Sequence, residues 1–136
     1  MYSQWALSID DAKQIANACR TCAVENGWNV VIAIVDDGGH TMYLERLDGT
    51  QKASSLVAQE KAKTALLFKR PTQAIEAVVA NGRNVMMMLP GATPIEGGLP
   101  LVRDGQFVGA IGISGVQSHE DGVVAAAGAA HFATLC

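Results

Sequence analysis

The sequence lacks the features that mark membrane, nucleic-acid-binding and exported proteins. No apolar run approaches the ~20 residues that a membrane helix requires. The net charge of −3 and a pI near 5.5 leave no basic stripe for nucleic acid. The N-terminus also lacks the charged segment followed by an apolar segment that defines a signal peptide. We therefore expect a cytoplasmic protein with neither nucleic-acid nor membrane partners.

Cysteine is scarce, with only Cys19, Cys22 and Cys136. Cys19 and Cys22 have CxxC spacing, but a redox pair needs its first cysteine near a helix N-terminus. Here the pair falls in the middle of a predicted helix. A zinc site needs further ligands, and the chain has no second CxxC motif. We interpret the pair as small core residues on one helix face.

Aromatic residues make up only 5% of the 136 residues, whereas alanine and glycine crowd the C-terminal third. A chain of this length is expected to form one domain, over 1–136, that buries roughly 65–70% of its unfolded surface. The abundance of small residues indicates tightly packed helices and close contacts between subunits.

The apolar periodicity predicts helices and hairpins in alternation. Ser8 and Asp11 form a capping box before the first helix, and Thr72 and Ser118 are predicted caps of later ones. The predicted helices cover 9–26, 52–70, 72–81 and 119–133, and the predicted strands cover 28–36, 41–47 and a hairpin over 97–115. The stretch 86–98 is predicted as a long loop with room for one short strand. Hairpins without strand–helix–strand crossovers imply an antiparallel sheet covered by helices, an α+β fold.

The C-terminal hairpin carries the most informative pattern, because its second strand contains Gly109, Gly112 and Gly115. Glycine weakens a strand by about 0.5–1 kcal/mol relative to alanine, so this many glycines suggest a close neighbour. The spacing is not GxGxxG, and Ser114 lacks the spacing of a nucleophile elbow. We interpret the glycines as letting a helix or a second subunit approach the sheet.

Three charged residues near the junction of the second strand and second helix are candidates for ligand binding: Arg46, Asp48 and Lys61. Arg46 and Lys61 are suited to recognise an anionic ligand. The alternative is that all three form a solvated rim.

A second group of candidates flanks the hairpin. Glu96 directly precedes Gly97 and Gly98, and we predict that these three residues contact a ligand, the alternative being an exposed loop. His119 lies at a predicted helix N-terminus, where the neutral imidazole is favoured and can ligate iron. His119 is thus the candidate metal ligand, although a lone histidine is also typical of a surface or core position.

Taken in order, these motifs resemble the GlcG/HbpS-like family, also called the haem-degrading-domain or DUF336 family. The resemblance spans nearly the whole chain. It is carried by RLDG at 46–49, KAKTA at 61–65, GGLPL at 97–101, VGAIGISG at 108–115, and Asp121.

The resemblance implies a profilin/PAS-like α-β-α fold with a five-stranded antiparallel sheet, and dimers assembled into larger rings or octamers. Members similar to this chain occur in glycolate, glycerol/propanediol and cobalamin-linked operons, or are fused to a cobalamin adenosyltransferase. Some members bind haem, and a secreted member is linked to haem degradation and redox sensing. Because this chain shows no secretion signal, the extracellular role is not expected here.

Three functions remain open on the sequence. The leading one is a cytoplasmic, oligomeric accessory protein that binds a small ligand such as haem or another tetrapyrrole, with Arg46 and Lys61 pairing with propionates and His119 as iron ligand. The second is an enzyme acting on a small hydroxy- or oxo-acid, with Glu96 or Asp121 as base and Arg46 holding the carboxylate. The third is a structural or regulatory module without a ligand.

Overall fold

Helices cover both faces of an antiparallel sheet in the computed structural model, which describes residues 1–135 and leaves Cys136 outside. The helices are α1 (Ile9–Glu25), α2 (Ser54–Leu67), α3 (Thr72–Ala80) and α4 (Ser118–Phe132), and the strands are β1 (Val31–Val35), β2 (Thr41–Arg46), β3 (Gly98–Arg103) and β4 (Gln106–Ser114). The strand order is β2-β1-β4-β3, and every neighbouring pair is antiparallel. The predicted α+β fold is confirmed. Within the described residues, no helix combines the length and the apolar character needed to cross a bilayer.

The expectation of a fifth strand is wrong, because the sheet within residues 1–135 has four strands. The loop with room for a short strand forms a 3-10 helix, Asn84–Met88, followed by turns. Pro90 and Pro94 in this stretch have no N–H to donate to a ladder. The N-terminal segment lies beside the β3–β4 hairpin, but a side chain holds it there: Trp5 N donates to Gln106 Oε1 at 2.9 Å. The profilin/PAS-like resemblance stays a prediction.

The N-terminal cap of α1 is the predicted one, whereas that of α4 is not. The capping box of α1 is confirmed, with Asp11 N donating to Ser8 Oγ and Ser8 N donating to Asp11 Oδ2, each at 3.0 Å. The predicted cap at Ser118 is wrong, because Gln117 caps α4 instead. Glu120 stands three residues after Gln117 and accepts from its backbone N–H at 3.2 Å, which completes the box one residue earlier.

The sheet separates two cores of different character. Helices α1 and α4 cover the face that carries large side chains such as Ile32 and Ile111. Helix α2 covers the other face, where the sheet and helix meet mainly through valine and alanine. A Cβ on Gly112 would lie 1.9 Å from the carbonyl oxygen of Ala58, so the backbone of α2 rests directly on β4. At Gly112, therefore, the glycine-rich strand admits a helix, as the sequence predicts.

The CxxC pair lies in the core between α1 and α4. Cys19 is fully buried, and Cys22 is half-buried. A Cβ on Gly128 would lie 2.4 Å from Cys19 Sγ, so α4 packs closely against this thiol. Burial, with the neighbouring Cys22 thiol adding to it, raises the pKa of Cys19 to about 12. A thiol that stays protonated at neutral pH agrees with a core role for Cys19.

Candidate functional site

The predicted ligand-binding residues gather at one end of the sheet. Arg46, at the end of β2, is paired with Val31, which is paired in turn with Ser114 at the end of β4. Strand β3 begins at this same end, where Gly98 is paired with Gly112. Helix α4 starts four residues after Ser114, which brings its first turn to this end as well.

A buried ion pair lies where β3 begins. The ammonium of Lys61, on α2, donates to Asp121 Oδ2, on α4, at 3.0 Å and to the carbonyl oxygen of Ile113 at 3.0 Å. The two charged side chains are only 2% and 3% exposed. Because α2 and α4 cover opposite faces of the sheet, this pair connects the two helical layers.

The adjacent glycine pair makes room for the lysine. Gly97 has a φ of +133°, and a Cβ there would lie 2.6 Å from the oxygen of Ile113 and 2.9 Å from Lys61 Nζ. A Cβ on Gly98 would lie 2.3 Å from the backbone oxygen of Lys61. The N–H of Gly98 donates to Thr72 Oγ1 at 2.9 Å. The predicted capping role of Thr72 is wrong, because Thr72 is the first residue of α3 and makes no side-chain cap bond.

The electrostatics of the pair make it a positioning device. Burial raises the pKa of the Asp121 carboxyl, although the Lys61 ammonium and the N–H of Val116 oppose the rise. Asp121 Oδ1 accepts from Val116 N at 3.2 Å, so both carboxylate oxygens are engaged. In this arrangement Asp121 offers no oxygen to a substrate, and Lys61 offers no ammonium to a propionate. The pair holds α4 and β3 in place.

Glu96 lies against the first turn of α4. A Cβ on Gly122 would lie 2.3 Å from Glu96 Oε2, so the missing side chain of this glycine makes room for the glutamate. The backbone N–H of Glu96 donates to Glu76 Oε1 at 3.4 Å. Both glutamates are half-buried, so part of each side chain remains accessible to solvent. Sequence reasoning missed Glu76, which lies on α3 and meets Glu96 only through the tertiary fold.

Three other candidates at this end of the sheet are exposed and lie outside the ion pair of Lys61 and Asp121: Arg46, Asp48 and His119. Strand β1 lies between Arg46 and Ser114, so the Cα atoms of these two residues are about 10 Å apart at normal strand spacing. No group of three or more His, Cys, Asp or Glu side chains converges on a metal position anywhere in residues 1–135. His119 as a metal ligand therefore stays a prediction, and it fits an iron that needs one protein ligand better than a multi-ligand site.

The other two histidines occupy different surroundings. His40 is exposed in the β1–β2 turn, at the opposite end of the sheet, with Nδ1 3.4 Å from Asp36 Oδ1. His131 is half-buried on α4, and its Nε2 finds no hydrogen-bond partner among the described residues. His40 is thus a natural control for His119, since both are exposed imidazoles.

A well-walled cleft lies away from these residues, between the N-terminal segment and the end of α4. Its volume is about 160 Å³, and its walls include Trp5, Leu7, Val108 and Phe132. Typical ligand pockets measure roughly 300–1,000 Å³, so this cleft is too small for a tetrapyrrole. Arg103 beside it donates to the carbonyls of Phe132, the last residue of α4, and of Leu135, just after the helix. Its guanidinium also stacks on the Phe132 ring at 5.2 Å, which indicates a structural role.

Known proteins resemble this chain along most of its length. Residues 7–130 match the family described as haem degrading protein HbpS-like. Protein GlcG of Escherichia coli K12 is 42% identical over 114 residues, which cover 84% of this chain and 85% of GlcG. Klebsiella pneumoniae protein ORFY superposes with a TM-score of 0.91 at 28% identity, covering 99% of this chain and 97% of ORFY. The crystal structure of a PduOC:haem complex superposes with a TM-score of 0.85 at 30% identity, covering 93% of this chain and 95% of PduOC.

Proposed function

We propose that this chain, which belongs to the family of haem degrading HbpS-like proteins, binds haem or a related tetrapyrrole. The observation that carries the proposal is the likeness of nearly the whole chain to PduOC, a protein crystallised with haem. The proposal includes a homo-oligomeric, cytoplasmic accessory protein that serves small-acid or diol metabolism.

The residues at the end of the sheet fit such a ligand in part. His119 is exposed on the first turn of α4, and its imidazole is a candidate ligand for a haem iron. Arg46 is exposed at the same end and suits a propionate. Lys61 does not, because Asp121 already holds its ammonium. We therefore assign Lys61, with Gly97 and Gly98, to shaping the edge of the site.

In this proposal the ligand would supply the redox chemistry, and the protein would bind and orient it. A bound haem iron would supply one-electron and oxygen chemistry. The chain itself would bind and orient the ligand, with His119 donating a ring nitrogen and Arg46 donating hydrogen bonds to a carboxylate. Glu96 and Glu76 lie together beside α4 and bring negative charge to that part of the site, so we place the anionic groups of the ligand on the Arg46 side.

The geometry gives less support to the enzyme alternative. It places the base at Asp121 or Glu96, and both oxygens of Asp121 are occupied by Lys61 and Val116. Glu96 has a second carboxylate, Glu76, beside it, but no observation favours a hydroxy- or oxo-acid substrate over a tetrapyrrole.

Haemin titration followed by absorbance tests the proposal. We expect a shifted Soret band that saturates at one haemin per chain. The His119→Ala variant should lose the spectrum of the ligated iron, and the matched His40→Ala variant should retain it. The Arg46→Ala variant should bind about 1.4- to fivefold more weakly, since an exposed ion pair contributes ~0.2–1 kcal/mol.

The possible outcomes test haem binding and the role of His119 separately. Absence of any Soret shift with the wild-type protein at micromolar concentration would overturn haem binding. A wild-type spectrum in the His119→Ala variant would overturn the iron-ligand assignment and leave haem binding in place.

A further inference from the structure

The outer face of α2 is apolar at both ends, where the solvent side of a helix is normally polar. Leu56 and Leu67 are 64% and 53% exposed. At 100° per residue, positions 56, 60, 63 and 67 fall within about 60° of the helix circumference. Leu56, Glu60, Lys63 and Leu67 therefore form one continuous row, the α2 stripe.

The α2 stripe runs Leu, Glu, Lys, Leu along the helix. In an antiparallel pair of such helices, each leucine therefore faces a leucine and each glutamate faces a lysine. Two α2 helices packed antiparallel about a twofold axis between positions 61 and 62 place Leu56 of one copy against Leu67 of the other. The same operation places Glu60 of one copy against Lys63 of the other. Twofold symmetry makes each contact twice, so the stripe offers two apolar and two opposite-charge contacts.

The charged pair of the stripe is available for such a contact. No ion pair within residues 1–135 includes Glu60 or Lys63, although they are three positions apart on one helix. Lys63 is exposed and Glu60 is half-buried, so neither charge is shielded by the fold. The inner face of α2, by contrast, is occupied by the sheet.

We propose that a second copy of this chain docks antiparallel on the α2 stripe and forms a homodimer. The inference rests on the homo-oligomer of the proposed function and names the face that forms it. The four contacts extend over about 16 Å of helix. Such a narrow strip is typical of weak interfaces, so we expect a dissociation constant on the order of micromolar.

Paired charge reversals test this geometry by analytical ultracentrifugation. Glu60→Lys leaves two cations in the stripe and Lys63→Glu leaves two anions, so each variant should repel its own copy and dimerise roughly tenfold more weakly. A one-to-one mixture of the two variants restores both opposite-charge contacts and should recover the wild-type dimer. High salt should weaken the mixed dimer, because its charge contacts are exposed.

An apolar variant and its control complete the experiment. Leu56→Asp should dissociate the dimer without unfolding the protein, because Leu56 is mostly exposed. Val24→Asp is the matched control, since Val24 is 62% exposed on α1, on the other side of the sheet. This control should leave the mass unchanged, and thermal melts should show that both variants fold.

The possible failures can be told apart. A wild-type chain that sediments as a monomer at about 100 µM would overturn both this interface and the proposed oligomer. An assembled wild type whose mass is unaffected by Leu56→Asp and by the charge reversals would overturn the α2 stripe alone. Failure of the mixed variants to reassociate would overturn the antiparallel pairing. The haemin titration is independent of all three results.

Discussion

The Lys61→Met substitution tests how the two helical layers are held together. Methionine keeps most of the volume of the lysine stem but removes the ammonium. The substitution leaves the carboxylate of Asp121 and the carbonyl of Ile113 buried without their donor, since Lys61 bonds both at 3.0 Å. The damage therefore comes from an uncompensated buried charge and not from a cavity.

The magnitude follows from the burial of the pair. Side chains that are 2% and 3% exposed gain little from solvent, so the full cost of an orphaned charge applies. Breaking such a pair typically costs about 3–5 kcal/mol in the free energy of unfolding, a large share of the ~5–15 kcal/mol of a whole domain. For a chain of this size the melting temperature should fall by roughly 10–15 °C.

A double variant separates the charge from the contact. Lys61→Met combined with Asp121→Leu replaces both charges with apolar groups, so it should be more stable than Lys61→Met alone. The exposed Lys13 provides the control, because Lys13→Met should change stability by no more than ~0.5 kcal/mol. Urea denaturation followed by circular dichroism measures all these differences.

The pH dependence gives a second, independent signature. The pKa of Asp121 is already raised by burial, and loss of the Lys61 ammonium should raise it further. A carboxyl with a folded pKa above its unfolded value costs stability as the pH rises through that window, and the cost is relieved on acidification. The deficit of Lys61→Met relative to wild type should therefore shrink as the pH falls from 7 toward about 4. A loss below ~1 kcal/mol at pH 7, or a double variant no better than the single, would refute the reasoning.

Two further predictions concern the close packing of the core. Gly112→Ala should destabilise the fold by about 3 kcal/mol or more, because its Cβ would meet the oxygen of Ala58 at 1.9 Å. Gly27→Ala is the control, because a Cβ there meets open space, and its φ of +70° should cost only ~1–2 kcal/mol in the free energy of unfolding. Equal losses of stability for the two variants in urea melts would contradict the close approach of α2 to Gly112. Because the pKa of Cys19 is about 12 in the folded protein against 9.0 unperturbed, stability should fall as the pH rises from 9 toward 12, by up to ~4 kcal/mol. Cys19→Ala should flatten this decline, and Cys22→Ala should flatten it much less, because burial contributes more than Cys22 to the raised pKa of Cys19. An unchanged slope in Cys19→Ala would rule out the buried thiol as its source.

Much of the fold can be predicted from local patterns. The capping box of Ser8 and Asp11 places the start of α1, because both partners lie within one helical turn. The glycines of β4 predict a close neighbour because a strand rarely tolerates them otherwise. The cap at Gln117 is harder to predict, since Ser118 also matches the pattern and only the register of Glu120 decides between them.

The candidate site is less predictable, because it depends on contacts between distant segments. The sequence marks Lys61 as a candidate cation and Gly97 as part of a separate candidate segment, but it offers no sign that the two are in contact or that the lysine is buried. Its partner Asp121 lies 60 residues away on another helix. Glu76 shows no local signal at all, since it lies beside Glu96 only because α3 packs near the start of β3.

The amino-acid sequence alone determines where the helices and hairpins lie and to which family the chain belongs, because periodicity, caps and motif order are local properties. The tertiary structure decides which charges are free to meet a ligand. Lys61 and Arg46 look equivalent as cations in the sequence. The fold buries Lys61 against Asp121 and leaves Arg46 exposed. The physical reason is that the free energy of a charge depends on its solvation and its partners, which exist only once the layers have packed.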